Sequence, residues 1–292
     1  MSEAVVDVLT TKLKNYDYEI LFIDNNSDDG TRELLRQICA GNPKIKAIFN
    51  ARNFGALNSS FHGMLQTTGD CTISLCCDFQ DPVELLPDMV KAWEDGARIV
   101  VMQKTRSEEN RFMYFVRSCY YKLMKNFSDI NQIEHFTGFG LYDKSFIQVL
   151  RDLKDPAPFL RGIVAELGYK IKIIPYTQAK RRTGKSHYNF FSYYDTAMIS
   201  ITAYTKFGLR AATLLGFITG ISSMIIAFAY LIAKLLLWDT FAMGIAPMVT
   251  GMFFLGSVIL IFLGLMGEYI ISINHRLMNR PLVIEEERIN FS

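Results

Sequence analysis

The chain has 292 residues, and its 31 lysines and arginines nearly balance its 29 aspartates and glutamates. This balance gives no support for nucleic acid as a partner. The cysteines are odd in number and lack metal-type spacing, which favours reduced thiols and a cytoplasmic catalytic part: Cys39, Cys71, Cys76, Cys77 and Cys119. No charged-then-apolar signal sequence opens the chain, so we expect its amino-terminal part to stay in the compartment where it is made.

The first hundred residues alternate between strand-like and helix-like segments. The predicted strands are 19–23, 45–50, a short run around Ile73, and 98–103. The predicted helices are 3–15, 31–39, a segment that ends near 66, and 82–95. Such alternation predicts a mostly parallel sheet with helices on both faces, which binds its ligand beyond the carboxyl ends of the strands.

Polar side chains follow three of these strands, at the edge where a ligand is expected: Asp24 with Asn25, Arg52 with Asn53, and Asp78 with Gln80 and Asp81. The oxygens of Asp78 and Gln80 suit a hard cation such as Mg²⁺ or Mn²⁺. A capped turn is the alternative at both acidic segments, and the residue types alone favour it.

Two uncharged segments, 211–233 and 240–267, predict membrane-spanning helices. At about 1.5 Å per residue, the first would reach roughly 34 Å, enough for a hydrocarbon core of about 30 Å. Only a short loop separates them, so they are expected to form a hairpin. Basic residues before and after the hairpin place both termini in the cytoplasm.

Several segments resemble those of family 2 glycosyltransferases. Residues 23–31 are similar to the family's VDDGSTDGT turn, residues 52–55 to its RNFG segment, and residues 78–82 to the DLQDP of the polyprenyl-phosphate branch. Residues 159–162, 182–188, 267–270 and 279–282 resemble further segments of that branch, which includes dolichyl-phosphate mannose synthases and bactoprenol glucosyltransferases. The resemblance covers nearly the whole chain in the same order.

The resemblance implies a GT-A-type, Rossmann-like α/β domain followed by a membrane anchor. The implied parts are a cytoplasmic catalytic domain over 1–188, an interfacial amphipathic helix over 189–209, a transmembrane hairpin over 210–273 with spans at about 211–236 and 244–270, and a cytoplasmic tail over 274–292. Packing against the catalytic domain is the alternative role for the amphipathic helix. The protein would be a multi-pass protein of the inner (plasma) membrane.

The implied activity is metal-dependent transfer of a hexose from a UDP- or GDP-sugar to polyprenyl (undecaprenyl) phosphate. The donor-binding residues would be Asp24, Asn25, Arg52, Asn53 and Asp78, and Mg²⁺ or Mn²⁺ would be held by Asp78 and Gln80. The acceptor phosphate would be bound by Lys104, Arg106, Arg117, Arg182, Lys185, Ser186 and His187. Solvated surface charges, or contacts with anionic lipid headgroups, are the alternative for each of these residues, and this alternative is stronger for the first three. Whether the protein forms a homo-oligomer is left open.

Three departures from the family pattern bear on this assignment. Relatives usually begin with a strand ahead of the first helix, so we expect either a start further upstream or an incomplete nucleotide site. The first aspartate of the family's D-x-D is Cys76 here, and a soft thiol is a poor Mg²⁺ ligand. An arginine that contacts the acceptor in many relatives is Gly140.

Two other functions stay open. A glycosyltransferase that acts on a sugar hydroxyl of a lipid-linked glycan would need a general base, for which Glu134 is the candidate. Without the first strand and the first D-x-D carboxylate, the chain could also be an inactive partner subunit that stabilises an active relative.

Overall fold

The computed structural model describes residues 1–106, 128, 133–179, 190–205, 207–236 and 245–291. The strands are β1 (Ile20–Asp24), β2 (Ile45–Asn50), β3 (Cys71–Ser74), β4 (Ile99–Arg106), β5 (Phe136–Asp143), β6 (Ile171–Thr177) and β7 (Glu285–Ile289). The helices are α1 (Ser2–Lys12), α2 (Thr31–Gly41), α3 (Ala56–Gln66), α4 (Leu86–Glu94), α5 (Lys144–Leu153), α6 (Leu160–Glu166), α7 (Phe190–Tyr204), α8 (Phe207–Leu236) and α9 (Ile245–Leu277). The predicted α/β class is confirmed.

The strands form two sheets, in the orders β1-β2-β7 and β3-β5-β4-β6. The pairs β1–β2 and β4–β6 are parallel, whereas β7 runs antiparallel to β2 and β5 runs antiparallel to both β3 and β4. The prediction of a mostly parallel sheet is therefore wrong. The sheets are mixed because two later strands, β5 and β7, enter them in the opposite direction.

Strand β1 is an edge strand of the first sheet, and β3 is an edge strand of the second. Each of these strands pairs on one side only, and no strand in the described ranges joins them. Their starts are held near each other by Glu19, whose carboxylate accepts hydrogen bonds from the backbone N–H and the hydroxyl of Thr68.

Strand β4 is buried on both faces. Val100 and Met102 pack with α1 and α4 on one side, and Ile99 and Val101 pack with α3, α5 and α6 on the other. Because side chains alternate along a strand, four consecutive apolar residues fill both layers. Complete burial of each such side chain stabilises the fold by about 1.5–3 kcal/mol. A third, smaller cluster packs α2 against β2.

Helices α7 to α9 follow the α/β part of the chain. The ring of Tyr204 in α7 lies against Gly162 of α6, where a Cβ atom would be only 2.2 Å from the ring. Among the described residues, one stretch is long and apolar enough to cross a membrane, Phe254–Leu277, with a mean hydropathy of 2.1. A second apolar stretch, Gly208–Ser222, is shorter. The hairpin and its predicted spans therefore stay predictions.

The predicted cytoplasmic tail contains a strand that the sequence did not reveal. Residues 285–289 form β7 and complete the edge of the first sheet beside β2. The backbone N–H of Ala51 also donates to the Ile284 carbonyl at 2.9 Å. The chain thus returns to the α/β part after α9, which the predicted domain limits did not include.

Gly140 lies in β5, paired with Ser74 on one side and Val101 on the other. A Cβ atom at this position would lie 2.5 Å from the backbone oxygen of Val100. Because β4, which carries that oxygen, is paired with β5 on one side and β6 on the other, the oxygen has little freedom to move away. The sheet therefore has no room for the arginine that many relatives carry.

We expect Gly140→Ala to lower the free energy of unfolding by about 1–3 kcal/mol, because the new methyl group must displace paired backbone. Thermal unfolding of the purified protein in detergent measures this loss. Gly41→Ala is the control, since within the described ranges no atom beyond its chain neighbours and its own helix backbone lies within 4 Å of the added Cβ. Its stability should be unchanged or slightly higher, because alanine is the better helix former. Equal unfolding temperatures for the two variants would contradict the close contact at Gly140.

Candidate functional site

Asp24 ends β1 and is nearly inaccessible, with 3% of its surface exposed. Its carboxylate accepts hydrogen bonds of 3.2 Å from the backbone N–H groups of Asn26 and Ser27. The Arg32 guanidinium, from the first turn of α2, lies 3.1 Å from it. A buried carboxylate is costly unless it is paired in this way. These contacts cap the turn, as the alternative interpretation holds, and a donor-binding role for Asp24 remains a prediction.

Asn25 joins the ends of β1 and β2. Its Nδ2 donates to Asn53 Oδ1 at 2.8 Å, and its Oδ1 accepts from Asn50 Nδ2 at 3.2 Å and from the backbone N–H of Phe54 at 3.0 Å. Asn53 also accepts from the backbone N–H of Gly55 at 2.9 Å. The structure therefore brings three of the predicted donor-binding residues, Asp24, Asn25 and Asn53, into one group.

Arg52 stands at the rim of this group. Arg52 is exposed to solvent, and its guanidinium lies 4.4 Å from the centre of the Phe54 ring. Such a contact orients a cation through the negative face of the ring. Arg52 is thus held on the ligand side of β2 with its charge toward solvent, where a phosphate could reach it.

Asn50 is a residue of this group that the sequence did not single out. It is fully buried, and its Nδ2 also donates to Ser59 of α3 at 3.0 Å. Its Oδ1 is buried with no hydrogen-bond donor in the part of the chain that is described. A polar residue directly after the apolar run 47–49 of the strand was the signal available in the sequence.

The second acidic turn follows β3. The backbone N–H of Gln80 donates to Asp78 Oδ1 at 3.1 Å, and the Gln80 carbonyl accepts from the backbone N–H of Ala179 at 3.3 Å. Phe79, between them, has a φ of 58°, in the left-handed region that side-chain-bearing residues rarely adopt. Strain of this kind persists where the surroundings fix the backbone, which is frequent in functional loops.

Asp81 has a structural role in this turn. It is 4% exposed, and its carboxylate accepts from the backbone N–H of Cys76 at 3.0 Å and from the Tyr176 hydroxyl at 3.1 Å. Burial raises the pKa of the Asp81 carboxyl, and these hydrogen bonds together with the charge of Lys104 only partly offset that rise. Asp81 thus anchors the turn to β6, and Asp78 is left as the carboxylate suited to a ligand.

Cys76 stands where relatives have the first aspartate of the D-x-D. Although Cys76 keeps an exposed surface, desolvation of its sulfur by the surrounding atoms, followed by the charges of Asp81 and Asp78, raises the pKa of its thiol to about 12. The group is therefore a neutral thiol at physiological pH. Because a thiol is a soft ligand that suits Mg²⁺ poorly, we expect that Cys76 does not replace the missing carboxylate.

A cation at this turn would depend on few protein ligands. Within the ranges described, no three His, Cys, Asp or Glu side chains are grouped so that they could hold a metal ion. The Asp78 carboxylate and the Gln80 amide are hard oxygen donors, and Mg²⁺ usually takes one or two carboxylates together with substrate phosphates. The residues fit that pattern, and metal binding by Asp78 and Gln80 remains a prediction.

The predicted acceptor site is only partly described. Lys104 lies in β4 opposite Tyr176, close enough to Asp81 for its charge to lower the pKa of that carboxyl. Arg106 ends β4 opposite Thr177. Arg117, Arg182, Lys185, Ser186 and His187 lie outside the described residues. The acceptor role of all seven residues remains a prediction.

Comparison with known proteins gives the family of the chain. The model of the family described as Glycosyl transferase family 2 matches residues 2–151. The SfII prophage-derived bactoprenol glucosyl transferase of Shigella flexneri is 29% identical over 274 residues, which cover 94% of this chain and 88% of the relative. The prophage bactoprenol glucosyl transferase homolog of Escherichia coli (strain K12) is 28% identical over 260 residues, with coverage of 89% and 85%. The putative glycosyltransferase CsbB of Bacillus subtilis (strain 168) is 29% identical over 284 residues, with coverage of 96% and 85%.

The mixed α/β fold with its polar strand ends is thus that of a glycosyltransferase, and the chain belongs to glycosyl transferase family 2. Within the family it lies in the branch of the bactoprenol glucosyl transferases, to which it is similar along nearly its whole length.

The two carboxylates of the second turn should respond differently to mutation. Asp81→Ala leaves two buried donors without an acceptor, so we expect the free energy of unfolding to fall by about 1–3 kcal/mol. Asp78 is partly exposed, so Asp78→Ala should cost less stability while it removes the activity. Thermal unfolding and a transfer assay on the same preparations separate the two effects. If Asp78→Ala unfolds as early as Asp81→Ala, Asp78 is a structural residue too.

Proposed function

We propose that this protein transfers a hexose from a UDP- or GDP-linked sugar to a polyprenyl phosphate, such as undecaprenyl phosphate. The observation that carries the proposal is the similarity, over 94% of the chain, to a protein named as a bactoprenol glucosyl transferase. The polar groups at the carboxyl ends of β1, β2 and β3 support it, because ligands of α/β folds bind at that edge.

In the proposed reaction, a phosphate oxygen of the lipid attacks the anomeric carbon of the sugar. The bond between that carbon and the β-phosphate oxygen breaks, and the nucleoside diphosphate leaves with the electron pair. The attacking oxygen is already anionic at neutral pH, so no proton has to be removed from it. The reaction therefore needs groups that place and neutralise phosphates rather than a general base.

The described residues supply such groups in part. Asn25 would contact the nucleoside from the turn that the buried Asp24 carboxylate holds, and Arg52 with Asn53 would face the phosphates. Asp78 and Gln80 would hold Mg²⁺ or Mn²⁺, which when bound neutralises the leaving pyrophosphate as a Lewis acid. Arg52 would act as a second positive charge beside the pyrophosphate. The acceptor phosphate would be held by the cations of β4 and of the basic stretch before α7.

We further infer that α8 and α9 anchor the protein in the plasma membrane as a hairpin, with the catalytic domain and both termini cytoplasmic. Helices of 30 and 33 residues would reach about 45 and 50 Å, which is more than a bilayer core requires. A Cβ atom at Gly208 in α8 would lie 3.0 Å from the Leu265 side chain in α9, so the two helices pack closely at that point.

The transfer assay uses membranes that carry the full chain, undecaprenyl phosphate, a divalent cation, and a panel of labelled UDP- and GDP-sugars. We expect label from one donor to enter the organic phase, and Asp78→Ala to lower that transfer by at least about a hundredfold. Asp88→Ala, which removes an exposed carboxylate of α4, is the matched control and should leave transfer unchanged.

Two outcomes would contradict the proposed reaction, and a third would change its site. Label that reaches a glycan but not the lipid phosphate, and that is lost in Glu134→Gln, would favour a hydroxyl acceptor. Failure to bind UDP, GDP or their sugars would favour an inactive partner subunit. Activity that survives in Asp78→Ala would remove this residue from the site.

Removal of the divalent cation should stop the reaction, because the leaving pyrophosphate would then lose its main neutralising charge. We expect transfer to fall to background in EDTA and to return when Mg²⁺ or Mn²⁺ is added in excess. Full activity in EDTA would exclude a cation at Asp78 and Gln80.

A further inference from the structure

We propose that Arg32 and Glu286 are positioning residues for the donor site, through which the strand after α9 holds the buried carboxylate of Asp24 in place. The inference rests on the proposed function, because it takes the turn at residues 24–27 as part of the site for the nucleotide sugar. Neither residue was a candidate from the sequence.

The pairing of β7 with β2 gives Glu286 an unusual position. Phe49 lies opposite Glu287 and Asn50 lies opposite Glu285, so one residue of β7 is left without a partner. That residue is Glu286, and the irregularity is a β-bulge. Bulges redirect a side chain away from the regular alternation of a strand, and they are frequent next to active sites. Here the Glu286 carboxylate lies 2.7 Å from Arg32 Nη2.

Arg32 connects three elements through one guanidinium. Its Nη2 donates to Glu286 Oε2 at 2.7 Å and to the backbone oxygen of Asn50 at 3.2 Å, and its Nε lies 3.1 Å from Asp24 Oδ2. The Nε–H is not aimed at that oxygen, so this contact is an ion pair without a hydrogen bond. A planar guanidinium can make these contacts at once, which a lysine ammonium cannot.

The burial of these groups differs along the chain of contacts. The side chain of Asp24 is 1% exposed, that of Arg32 is 17% exposed, and that of Glu286 is 57% exposed. Water therefore screens the outer pair more than the inner one. Loss of Glu286 should loosen Arg32 without unfolding the turn, whereas loss of Arg32 leaves the Asp24 carboxylate without the cation beside it.

The next residue of β7 provides a matched comparison. Arg36, one turn further along α2, donates to Glu287 Oε2 from Nε at 3.1 Å and from Nη2 at 2.8 Å. This pair also fastens β7 to α2. In the part of the chain that is described, however, neither member contacts Asp24. Both ion pairs therefore hold β7 against α2, but only the pair of Arg32 and Glu286 includes a residue that contacts Asp24.

The link also connects the donor site to the membrane-length helix. Only residues 278–284 separate the end of α9 from the start of β7. A displacement of the end of α9 is therefore passed through few residues to Glu286, and from there to Arg32 and Asp24. The affinity for the nucleotide sugar should accordingly depend on the position of β7 beside β2.

The test compares Glu286→Gln with Glu287→Gln in the full-length protein in detergent. For Glu286→Gln we expect a roughly two- to fivefold rise in the dissociation constant for UDP or GDP and in the donor KM, since the lost pair is a partly exposed one. The kcat should stay nearly constant, because Glu286 does not touch the reacting atoms. Backbone hydrogen exchange should become faster at Asn26 and Ser27, whose N–H groups bond to Asp24.

Glu287→Gln should leave nucleotide binding and the exchange of these two amides at wild-type values. Arg32→Lys should weaken binding at least as much as Glu286→Gln, because one ammonium cannot reach both carboxylates. Equal effects of the two glutamine substitutions, or unchanged exchange at Asn26 and Ser27 in Glu286→Gln, would overturn the proposal. If the wild-type protein binds neither UDP nor GDP, the proposed function fails, and the exchange measurement alone then decides whether Glu286 positions the turn.

Discussion

The burial of β4 on both faces is the constraint on which the rest of the structure depends. Four consecutive apolar residues, Ile99 to Met102, can leave water only if helices cover both sides of the strand. The helices α1 and α4 meet this need on one face, and α3, α5 and α6 meet it on the other. The backbone of β4 is at the same time paired with β5 and β6. β5 in turn pairs with β3, whose end leads into the second acidic turn.

Each of the two acidic turns contains a buried carboxylate and a more exposed polar residue. Asp81 is buried and bonded to Cys76 and Tyr176, so its carboxylate is committed to holding the turn. Asp78 is more accessible. Its carboxylate accepts a hydrogen bond from the backbone N–H of Gln80, and the residue between them, Phe79, has a left-handed backbone conformation. In the first turn, Asp24 is the buried member, and Asn25 extends the group to Asn53. In each turn one buried carboxylate fixes the backbone, and a nearby polar side chain, Asn25 or Asp78, stays partly exposed.

The carboxyl-terminal strand β7 belongs to the α/β part of the protein, although it follows the apolar helices in the chain. After α9 the chain returns to the first sheet, and its acidic residues form ion pairs with Arg32 and Arg36 of α2. Single exposed ion pairs contribute little to stability. Together with the strand pairing, however, they connect the apolar carboxyl-terminal helices to the residues around Asp24.

The sequence by itself determined the order of strands and helices in the first hundred residues, the polar strand ends, and the family. Hydrophobic periodicity and turn residues are local signals, so β2 was predicted at its observed bounds and α2 at its observed start. Only the tertiary structure decided the antiparallel entry of β5 and β7, the structural role of Asp81, and the position of Arg32 between Asp24 and Glu286. These features depend on contacts between residues far apart in the chain, such as Arg32 and Glu286, and the residues 285–289 lack the alternation that would have marked them as a strand. Long-range pairing of this kind has no local pattern, because it is set by which surfaces remain unpaired after the core has formed.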